Sequence, residues 1–321
     1  MTTRITRFSR GPYTFDVTDA GPADGEPIVL LHGFPQRASC WEFVAPSLHD
    51  NGFRTLAPDQ RGYSPGARPT RRRDYVQGEL ASDVLALLDA AGIERAHVVG
   101  HDWGAIVAWT LAAHHSDRVK TLTALSVPHS GAFLRAMPRG QVFRSWYMAA
   151  FQVPVLPEKL LGWAMRTQPD FGERMGLPQP FASRVAAEIG AYGALPGALG
   201  WYRAMLLPDK RSTPRPVGVP TTYVWGDADI AIGDASARLC SGWVEANYEF
   251  IVLPGADHWL PEAHPGDVAA AILARVADGR SRSGPGPTDS GPTDPDPAAS
   301  ALADRSAAIR SADETSAQDT A

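Results

Sequence analysis

The sequence predicts an α/β fold, with a mostly parallel sheet flanked by helices and an inserted helical cap. Two observations support this prediction. Short β-branched segments alternate with amphipathic helical patterns, which is typical of parallel strands joined by crossover helices. The alternation stops between residues 131 and 214 and then resumes. The chain has 321 residues, 44% of them hydrophobic, so it can bury one large core.

Six segments are predicted to be buried strands of this sheet. They are Pro27–His32, Arg54–Pro58, Ala96–Gly100, Val119–Ser126, Thr221–Gly226 and Tyr248–Leu253. Amphipathic helical patterns such as Asp74–Ala91 lie between them. The sheet domain is therefore expected to consist of residues 1–130 and 215–278.

Two further segments have compositions unlike that of the sheet domain. Residues 131–214 are rich in Trp, Tyr, Met, Leu and Pro, which indicates helices separated by prolines, so we predict a helical cap there. Residues 279–321 contain almost no large apolar side chains and cannot offset the entropy lost on ordering. We predict that they form a disordered C-terminal tail.

Composition and charge argue against several function classes. The formal net charge of −5 gives no electrostatic reason to expect nucleic acid or a membrane surface as a partner. Neither a signal peptide nor a membrane span is visible, so we expect a cytoplasmic protein. Cys40 and Cys240 form no CxxC motif and are expected to be buried packing residues. The nine histidines lack metal-ligand spacing, so no metal site is predicted.

The segment GHDWG, residues 100–104, matches the pattern in which two glycines flank a nucleophile at a sharp strand-to-helix turn. A predicted strand precedes it and the helical segment AIVAWTLAAHH follows it, as the motif requires. The pattern places Asp102 at the nucleophile position, where serine is usual. The alternative is that Asp102 only caps the helix.

An aspartate nucleophile suits a substrate with an electrophilic saturated carbon. Attack by a carboxylate on such a carbon gives an alkyl ester, whose carbonyl carbon water can attack in a second step. A serine would give an ether, which is a dead end. Asp102 therefore predicts an epoxide or a haloalkane as substrate and a reaction in two steps.

The second step needs a base, which in this arrangement follows the last strand. His258 in LPGADHWLPE occupies that place and is predicted to be the base, while His264, beyond a proline, is the weaker candidate. For the acid that orients the imidazole, YVWGDADIAIGD offers Asp227, Asp229 and Asp234. We select Asp229 because it lies far enough beyond the strand end to turn toward the base, whereas Asp227 is placed to shape the turn.

Water attack on the ester creates an oxyanion that needs two backbone N–H donors. One is predicted to be Trp103, the residue after the nucleophile. The other is predicted to be Phe34 in HGFP, after the first predicted strand. The other residues of that motif, His32, Gly33 and Pro35, are expected to support the loop. Gly33 permits a tight turn, and Pro35 is a candidate for a cis peptide bond.

The motifs HGFP, GHDWGA, WGDAD and GADHW, in this order and spacing, resemble the soluble epoxide hydrolases of the α/β-hydrolase fold. The resemblance covers about residues 5–278. It implies that a small-molecule epoxide reacts with water to give a vicinal diol, without a cofactor. In that family two cap tyrosines bind the epoxide oxygen and act as acids. SWYMAAFQVPVLPE and GWYRAM are similar to the two cap motifs, which implies this role for Tyr147 and Tyr202, with Tyr192 as the rival for the second position.

Two other functions stay open at this point. A haloalkane dehalogenase would share the aspartate and the tryptophan after it, but it must hold the leaving halide with N–H donors. Its family often has Asn or Glu at the position of Phe34. A catalytically silent ligand-binding member of the fold usually lacks a triad residue, and here Asp102, His258 and Asp229 are all present. The specific epoxide, the stereochemistry and the oligomeric state also stay open, a homodimer included.

Other polar residues near these motifs are expected to have structural roles. His97, His101 and His129 are expected to serve packing or local hydrogen bonds. Asp59 and Arg61 of APDQRGYSPG are expected to hold the turn after their strand.

Overall fold

The computed structural model describes residues 4–281. The strands in this part of the chain are β1 (Arg7–Arg10), β2 (Tyr13–Ala20), β3 (Glu26–Leu31), β4 (Phe53–Pro58), β5 (Ala96–His101), β6 (Val119–Leu125), β7 (Thr221–Gly226) and β8 (Tyr248–Leu253). They form one sheet in the order β1-β2-β4-β3-β5-β6-β7-β8. Strands β3 to β8 pair in parallel, and β1 and β2 pair antiparallel.

The α/β class predicted from the sequence is confirmed. The six predicted strands correspond to β3 to β8, with their ends shifted by at most one residue. Strands β1 and β2 were not predicted. They are the antiparallel edge of the sheet, and only some of their side chains are buried, so neither contains the continuous apolar run that marks the central strands.

The helices are α1 (Ala45–Asp50), α2 (Gln77–Ala90), α3 (Trp103–His114), α4 (Ser130–Ala136), α5 (Gln141–Arg144), α6 (Trp146–Ala150), α7 (Leu156–Thr167), α8 (Phe171–Arg174), α9 (Phe181–Val185), α10 (Leu195–Ala204), α11 (Asp234–Arg238), α12 (Leu260–Ala263) and α13 (Pro265–Ser281). None of those helices, which all lie within residues 4–281, combines the length and the apolar character that a bilayer crossing needs.

Helix α13 ends later than the sequence analysis expected. It continues through Gly279 to Ser281, so the predicted start of the tail at Gly279 is wrong, because residues 279–281 are helical. Arg280 explains the extension, because its Nε donates to Glu26 Oε2 at 2.7 Å and its guanidinium lies 4.8 Å from the centre of the Phe53 ring. The rest of the predicted tail, residues 282–321, lies outside the described residues.

The sheet has a hydrophobic core on each of its faces. Along β3, Val29 and Leu31 pack into one core and Ile28 and Leu30 into the other. Successive side chains of a strand point to opposite faces, so a strand covered on both sides must be apolar throughout. This is why the central strands could be recognised from short unbroken apolar runs.

Helices α4 to α10 all lie between β6 and β7, in the segment predicted as the cap. Helix α10 lies directly against the loop after β4. A Cβ added at Gly197 of α10 would lie 2.4 Å from Gly62 Cα, and Trp201 Nε1 donates to Arg61 O at 2.7 Å. This close backbone contact fixes the position of Tyr202, which is also in α10.

Candidate active site

Asp102 stands at the sharp turn between β5 and α3. Its backbone has φ 51° and ψ −119°, a region that residues with side chains rarely adopt. The two glycines of the motif permit the turn: a Cβ at Gly100 would lie 2.2 Å from Gly104 O, and a Cβ at Gly104 would lie 2.1 Å from Leu31 O. The turn holds the carboxylate at the carboxyl ends of the parallel strands, where open α/β sheets bind ligands.

The HGFP loop brings a backbone donor to this carboxylate. Phe34 N donates to Asp102 Oδ1 at 2.8 Å, and the Asp102 side chain makes no capping bond to the described helix α3. Gly33 makes the approach possible, since a Cβ there would lie 2.4 Å from Asp102 Oδ1. The Phe34–Pro35 peptide bond is cis. Trp103, the other predicted donor, is the first residue of α3, where a backbone N–H has no acceptor within the helix.

His32 fastens this loop to the loop after β4. Its Nε2 accepts from Gln60 N at 3.1 Å, and Gln60 Nε2 donates to His32 O at 2.6 Å. Burial lowers the pKa of His32 to about 4, so the ring is neutral near pH 7 and can accept that bond. The loop is therefore held in place without a further charge beside Asp102.

His258, in the loop after β8, lies between two carboxylates. Its Nδ1 donates to Asp229 Oδ2 at 2.8 Å, and its Nε2 lies 3.5 Å from Asp102 Oδ2. Asp229 Oδ1 accepts from Ala231 N at 2.7 Å and from Ile232 N at 2.9 Å. These bonds fix the direction of the Asp229 carboxylate and keep a proton on Nδ1 of the imidazole. The structure thus brings the three predicted triad residues together.

The charges in this group depend on one another. Burial alone would lower the pKa of His258, but the carboxylates of Asp229 and Asp102 outweigh it and raise that pKa well above its usual value. Burial alone would raise the pKa of Asp102, yet the hydrogen bond and charge of His258 lower it. In the free protein the pair is therefore an imidazolium and a carboxylate. If Asp102 became a neutral ester, one of the two negative charges that raise the pKa of His258 would be removed. The pKa of His258 would then fall, and the imidazolium would more readily lose its proton to give a neutral imidazole.

Tyr147 of α6 and Tyr202 of α10 lie side by side, with ring centroids 6.0 Å apart. The Tyr202 ring also packs edge-on against Trp103 at 4.9 Å and against Phe34 at 5.6 Å. Burial raises the pKa of both phenols, and the nearby charge of Asp102 raises them further. Both hydroxyl groups are therefore protonated near neutral pH and available as donors.

The alternative candidates lie elsewhere. The Tyr192 ring packs against the guanidinium groups of Arg37 and Arg68, 3.7 and 4.8 Å from its centre. Asp227 Oδ1 accepts from Gly255 N at 2.6 Å, so it closes the turn between two loops. Of the others, Asp234 pairs with Arg238 and His264 lies 3.6 Å from Asp267.

A cavity of about 280 Å³ opens onto the reacting groups. Asp102, Trp103, Tyr147 and His258 line part of it. Much of the remaining wall is apolar and comes from Ile106, Val127, Phe133, Met148, Leu207 and Ile232. The exposed residues Leu134, Met205 and Thr213 mark its opening. This volume and lining suit a small, largely apolar molecule.

The sequence analysis did not find the polar groups behind the His258 loop. His258 O accepts from Ser126 Oγ at 2.7 Å and from His101 Nε2 at 2.8 Å, and His101 Nδ1 lies 3.0 Å from the side-chain amide of Gln36. His101 was expected to make a local bond, but its partner is 157 residues away along the chain. In the sequence, only the position of His101 next to Asp102 could have indicated that it contacts the His258 loop.

The remaining residues with expected structural roles make hydrogen bonds or ring contacts, but the side chains of Asp59 and Arg61 pair with residues of other segments and not within the turn after β4. Asp59 pairs with Arg37, Arg61 with Asp83, and His97 Nδ1 lies 2.8 Å from Thr121 Oγ1. The His129 ring stacks on Trp243 at 4.6 Å. Cys40 and Cys240 are free and buried, as predicted.

Comparisons with known proteins match this chain to one family. The family model described as the alpha/beta hydrolase fold matches residues 26–265. Epoxide hydrolase A of Mycobacterium tuberculosis is 32% identical over 303 residues, which cover 80% of this chain and 92% of that protein. An AB hydrolase superfamily protein of Bacillus subtilis is also 32% identical, over 81% of this chain and 93% of that protein.

Solved structures show the same relationship. The crystal structure of epoxide hydrolase A from Mycobacterium thermoresistibile matches with a TM-score of 0.68 and 28% identity, covering 82% of this chain and 95% of that one. The family model matches the chain from the start of β3 to the start of α13. The match therefore includes most of the sheet and the whole segment between β6 and β7. This chain therefore belongs to the α/β-hydrolase family, and the proteins that it resembles include named epoxide hydrolases.

Proposed function

We propose that this protein is an epoxide hydrolase that converts an epoxide to a vicinal diol through an alkyl ester on Asp102. One observation carries the proposal. A carboxylate on a strand-to-helix turn has an imidazole 3.5 Å away, and two adjacent phenols lie near enough for its charge to raise their pKa values. This arrangement provides a nucleophile, an acid and a base for two successive steps. Water and a small-molecule epoxide are the reactants, and no cofactor takes part.

In the first step Asp102 Oδ2 attacks a carbon of the epoxide ring. A carbon–oxygen bond forms, the ring carbon–oxygen bond breaks, and the leaving oxygen takes a proton from Tyr147 or Tyr202. That tyrosine becomes a phenolate. Oδ1 stays on the Phe34 N–H, where it is already held at 2.8 Å, and becomes the carbonyl oxygen of the ester.

Once Asp102 is a neutral ester, His258 releases its Nε2 proton to solvent. In the second step the neutral Nε2 takes a proton from water, which attacks the carbonyl carbon of the ester. The negative charge that develops on Oδ1 is stabilised by the N–H groups of Phe34 and Trp103. When the tetrahedral intermediate collapses, the diol oxygen takes the proton from His258. The proton left on the Asp102 carboxyl returns to the phenolate, and His258 regains a proton from solvent. The starting site is then restored, with one water consumed and one diol formed.

The choice of an epoxide over a haloalkane depends on the leaving group. An epoxide oxygen leaves as an alkoxide and must be protonated, whereas a halide leaves as a stable anion. The groups beside Asp102 include two neutral phenols, and Phe34 supplies a hydrocarbon ring. The names of the Mycobacterium relatives support the same choice.

A substrate panel tests the proposal. The protein is incubated with aryl and alkyl epoxides and with chloro- and bromoalkanes, and diol and halide are measured. We expect diol from at least one epoxide and no halide. Asp102→Asn should lose turnover because an amide is a poor nucleophile, whereas Asp234→Asn, at an exposed aspartate, should not. Halide release without diol formation, or full activity of Asp102→Asn with no deamidation by mass spectrometry, would contradict the proposal.

A further inference from the structure

Glu262 is a buried carboxyl group that the mechanism above does not use. It lies in α12, four residues after His258, and only 6% of it is exposed. One carboxyl oxygen, Oε1, is hydrogen-bonded to the side-chain amide of Gln36. The other, Oε2, is buried and has no hydrogen-bond partner among the described residues. Burying a carboxyl group with one oxygen unpartnered costs free energy of folding, so its presence needs an explanation.

Glu262 is the far end of a chain of contacts that reaches the base. The Gln36 amide lies between Glu262 and His101, 3.0 Å from His101 Nδ1. His101 Nε2 is 2.8 Å from His258 O. Gln36 also belongs to the loop that carries Phe34, and its own N–H donates to Gly33 O at 3.0 Å. The chain therefore links the loop of the oxyanion donor to the loop of the base.

We propose that Glu262 is a positioning residue for the hydrolytic step, acting through Gln36 and His101 to hold the main chain of His258. The inference rests on the proposed function, because it assigns Glu262 to the second of the two steps. Glu262 does not touch the reacting atoms. It fixes the orientation of the His258 imidazole, whose Nε2 must lie within hydrogen-bonding distance of the water that attacks the ester.

The need for one donor in each of these hydrogen bonds determines which atoms between Glu262 and His258 carry a proton. A carbonyl oxygen only accepts, so His101 Nε2 must carry a hydrogen to bond to His258 O. Burial lowers the pKa of His101 to about 4, so its ring is neutral and Nδ1 is an acceptor. In the structure Gln36 Nε2 faces Glu262 Oε1 and Gln36 Oε1 faces His101 Nδ1, which sets two acceptors against each other at His101. The reverse amide orientation, with the NH2 group toward His101 and the carbonyl toward Glu262, removes this conflict. The two amide orientations occupy the same space, and this one gives each bond one donor, provided that Glu262 itself donates.

The surroundings of Glu262 favour a protonated carboxyl. Burial raises the pKa of Glu262 well above its usual range, and the charges of Asp257 and Glu188 raise it further, against the opposing effect of His258. The guanidinium groups on the same side, those of Arg37 and Arg184, pair with other carboxylates. Every member of the chain from Glu262 to His101 is therefore neutral, and the hydrogen bonds hold the His258 loop without a third charge behind the triad.

Two substitutions of similar size separate this role from simple packing. Glu262→Met fills the space and removes the donor, whereas Glu262→Gln keeps a donor in its NH2 group. Ester formation and ester hydrolysis are measured separately in single turnovers by rapid quenching and mass spectrometry. For Glu262→Met we expect hydrolysis to slow by about ten- to a hundredfold, the size of effect caused by a slightly misplaced catalytic group, with ester formation little changed. Glu262→Gln should recover most of the loss.

Controls distinguish the possible outcomes. Glu245→Met, at an exposed glutamate, should behave as the unchanged protein does. If Glu262→Met fails to fold, Gln36→Leu, which breaks the chain at its middle, should slow hydrolysis in the same way. Normal hydrolysis in the folded Met or Leu variant, or a Glu262→Gln variant as slow as Glu262→Met, would overturn the inference. Failure of the proposed function has a different signature, because the unchanged protein would then form no ester.

Discussion

Removing the hydroxyl groups of Tyr147 and Tyr202 together should slow ring opening severely. Tyr→Phe keeps both rings, so the packing of Tyr202 against Trp103 at 4.9 Å and against Phe34 at 5.6 Å is preserved and no large cavity forms. The change therefore removes the acid and little else. Without a proton donor, the ring oxygen must leave as an alkoxide.

The size of the effect follows from the role of a positioned acid. Such a group typically accelerates a reaction by about 10²- to 10⁴-fold, so the double variant should lose at least about 10²-fold in the rate of ester formation. This corresponds to an increase of about 3 kcal/mol or more in the barrier. Each single variant should keep part of the activity, because the two rings lie 6.0 Å apart and the remaining phenol can still donate.

The assay is a single turnover with excess enzyme, in which the ester on the protein is measured by mass. Melting temperatures establish that the variants are folded. Tyr192→Phe is the matched control, since that ring packs against Arg37 and Arg68, and its rate should not change. Near-normal ester formation by the double variant, or a larger effect of Tyr192→Phe, would refute the assignment of the acids.

Three further predictions follow from the geometry. Asp229→Asn should slow ester hydrolysis by up to about 10⁴-fold, because an amide does not hold the imidazole tautomer, and a rate equal to that of the unchanged protein would contradict this. Gly33→Ala should lower turnover by about 10²-fold by displacing Asp102, whereas Gly266→Ala, where a new Cβ meets nothing within 4 Å, should leave turnover unchanged. Glu262 has a pKa above its unfolded value of 4.5, so the folded protein keeps a proton that the unfolded chain releases, and stability falls as pH rises above that value. Relative to the unchanged protein, the free energy of unfolding of Glu262→Gln, measured with urea, should therefore increase by about 1.4 kcal/mol per pH unit from about pH 4.5 up to the pKa of Glu262 in the folded protein, and a constant difference would contradict this.

The central strands and the proximity of Asp102, His258 and Asp229 could be predicted because their signals are local. Central strands are buried on both faces and therefore show as apolar runs, and the turn at Asp102 needs two glycines at fixed spacing. His258 and Asp229 lie in the loops that follow strands β8 and β7, so strand order alone brings them to the same edge of the sheet.

Features that depend on distant contacts could not be predicted. The choice between Tyr202 and Tyr192 depends on how α10 packs against Gly62, which no local pattern in the cap reveals. Gln36 and Glu262 are 226 residues apart in the chain, and single polar side chains carry no periodicity that would pair them. The start of the predicted tail at Gly279 was misplaced for a similar reason, since the bond from Arg280 to Glu26 joins opposite ends of the described chain.

A single turnover in water enriched in oxygen-18 tests the covalent step most directly. With enzyme in excess, one oxygen of the diol should come from the Asp102 carboxylate and the other from the epoxide, while the oxygen from water should enter Asp102. We predict an unlabelled diol and a labelled Asp102 peptide after the first turnover. A labelled diol with an unlabelled Asp102 would show that water attacks the epoxide directly, and would contradict the central claim.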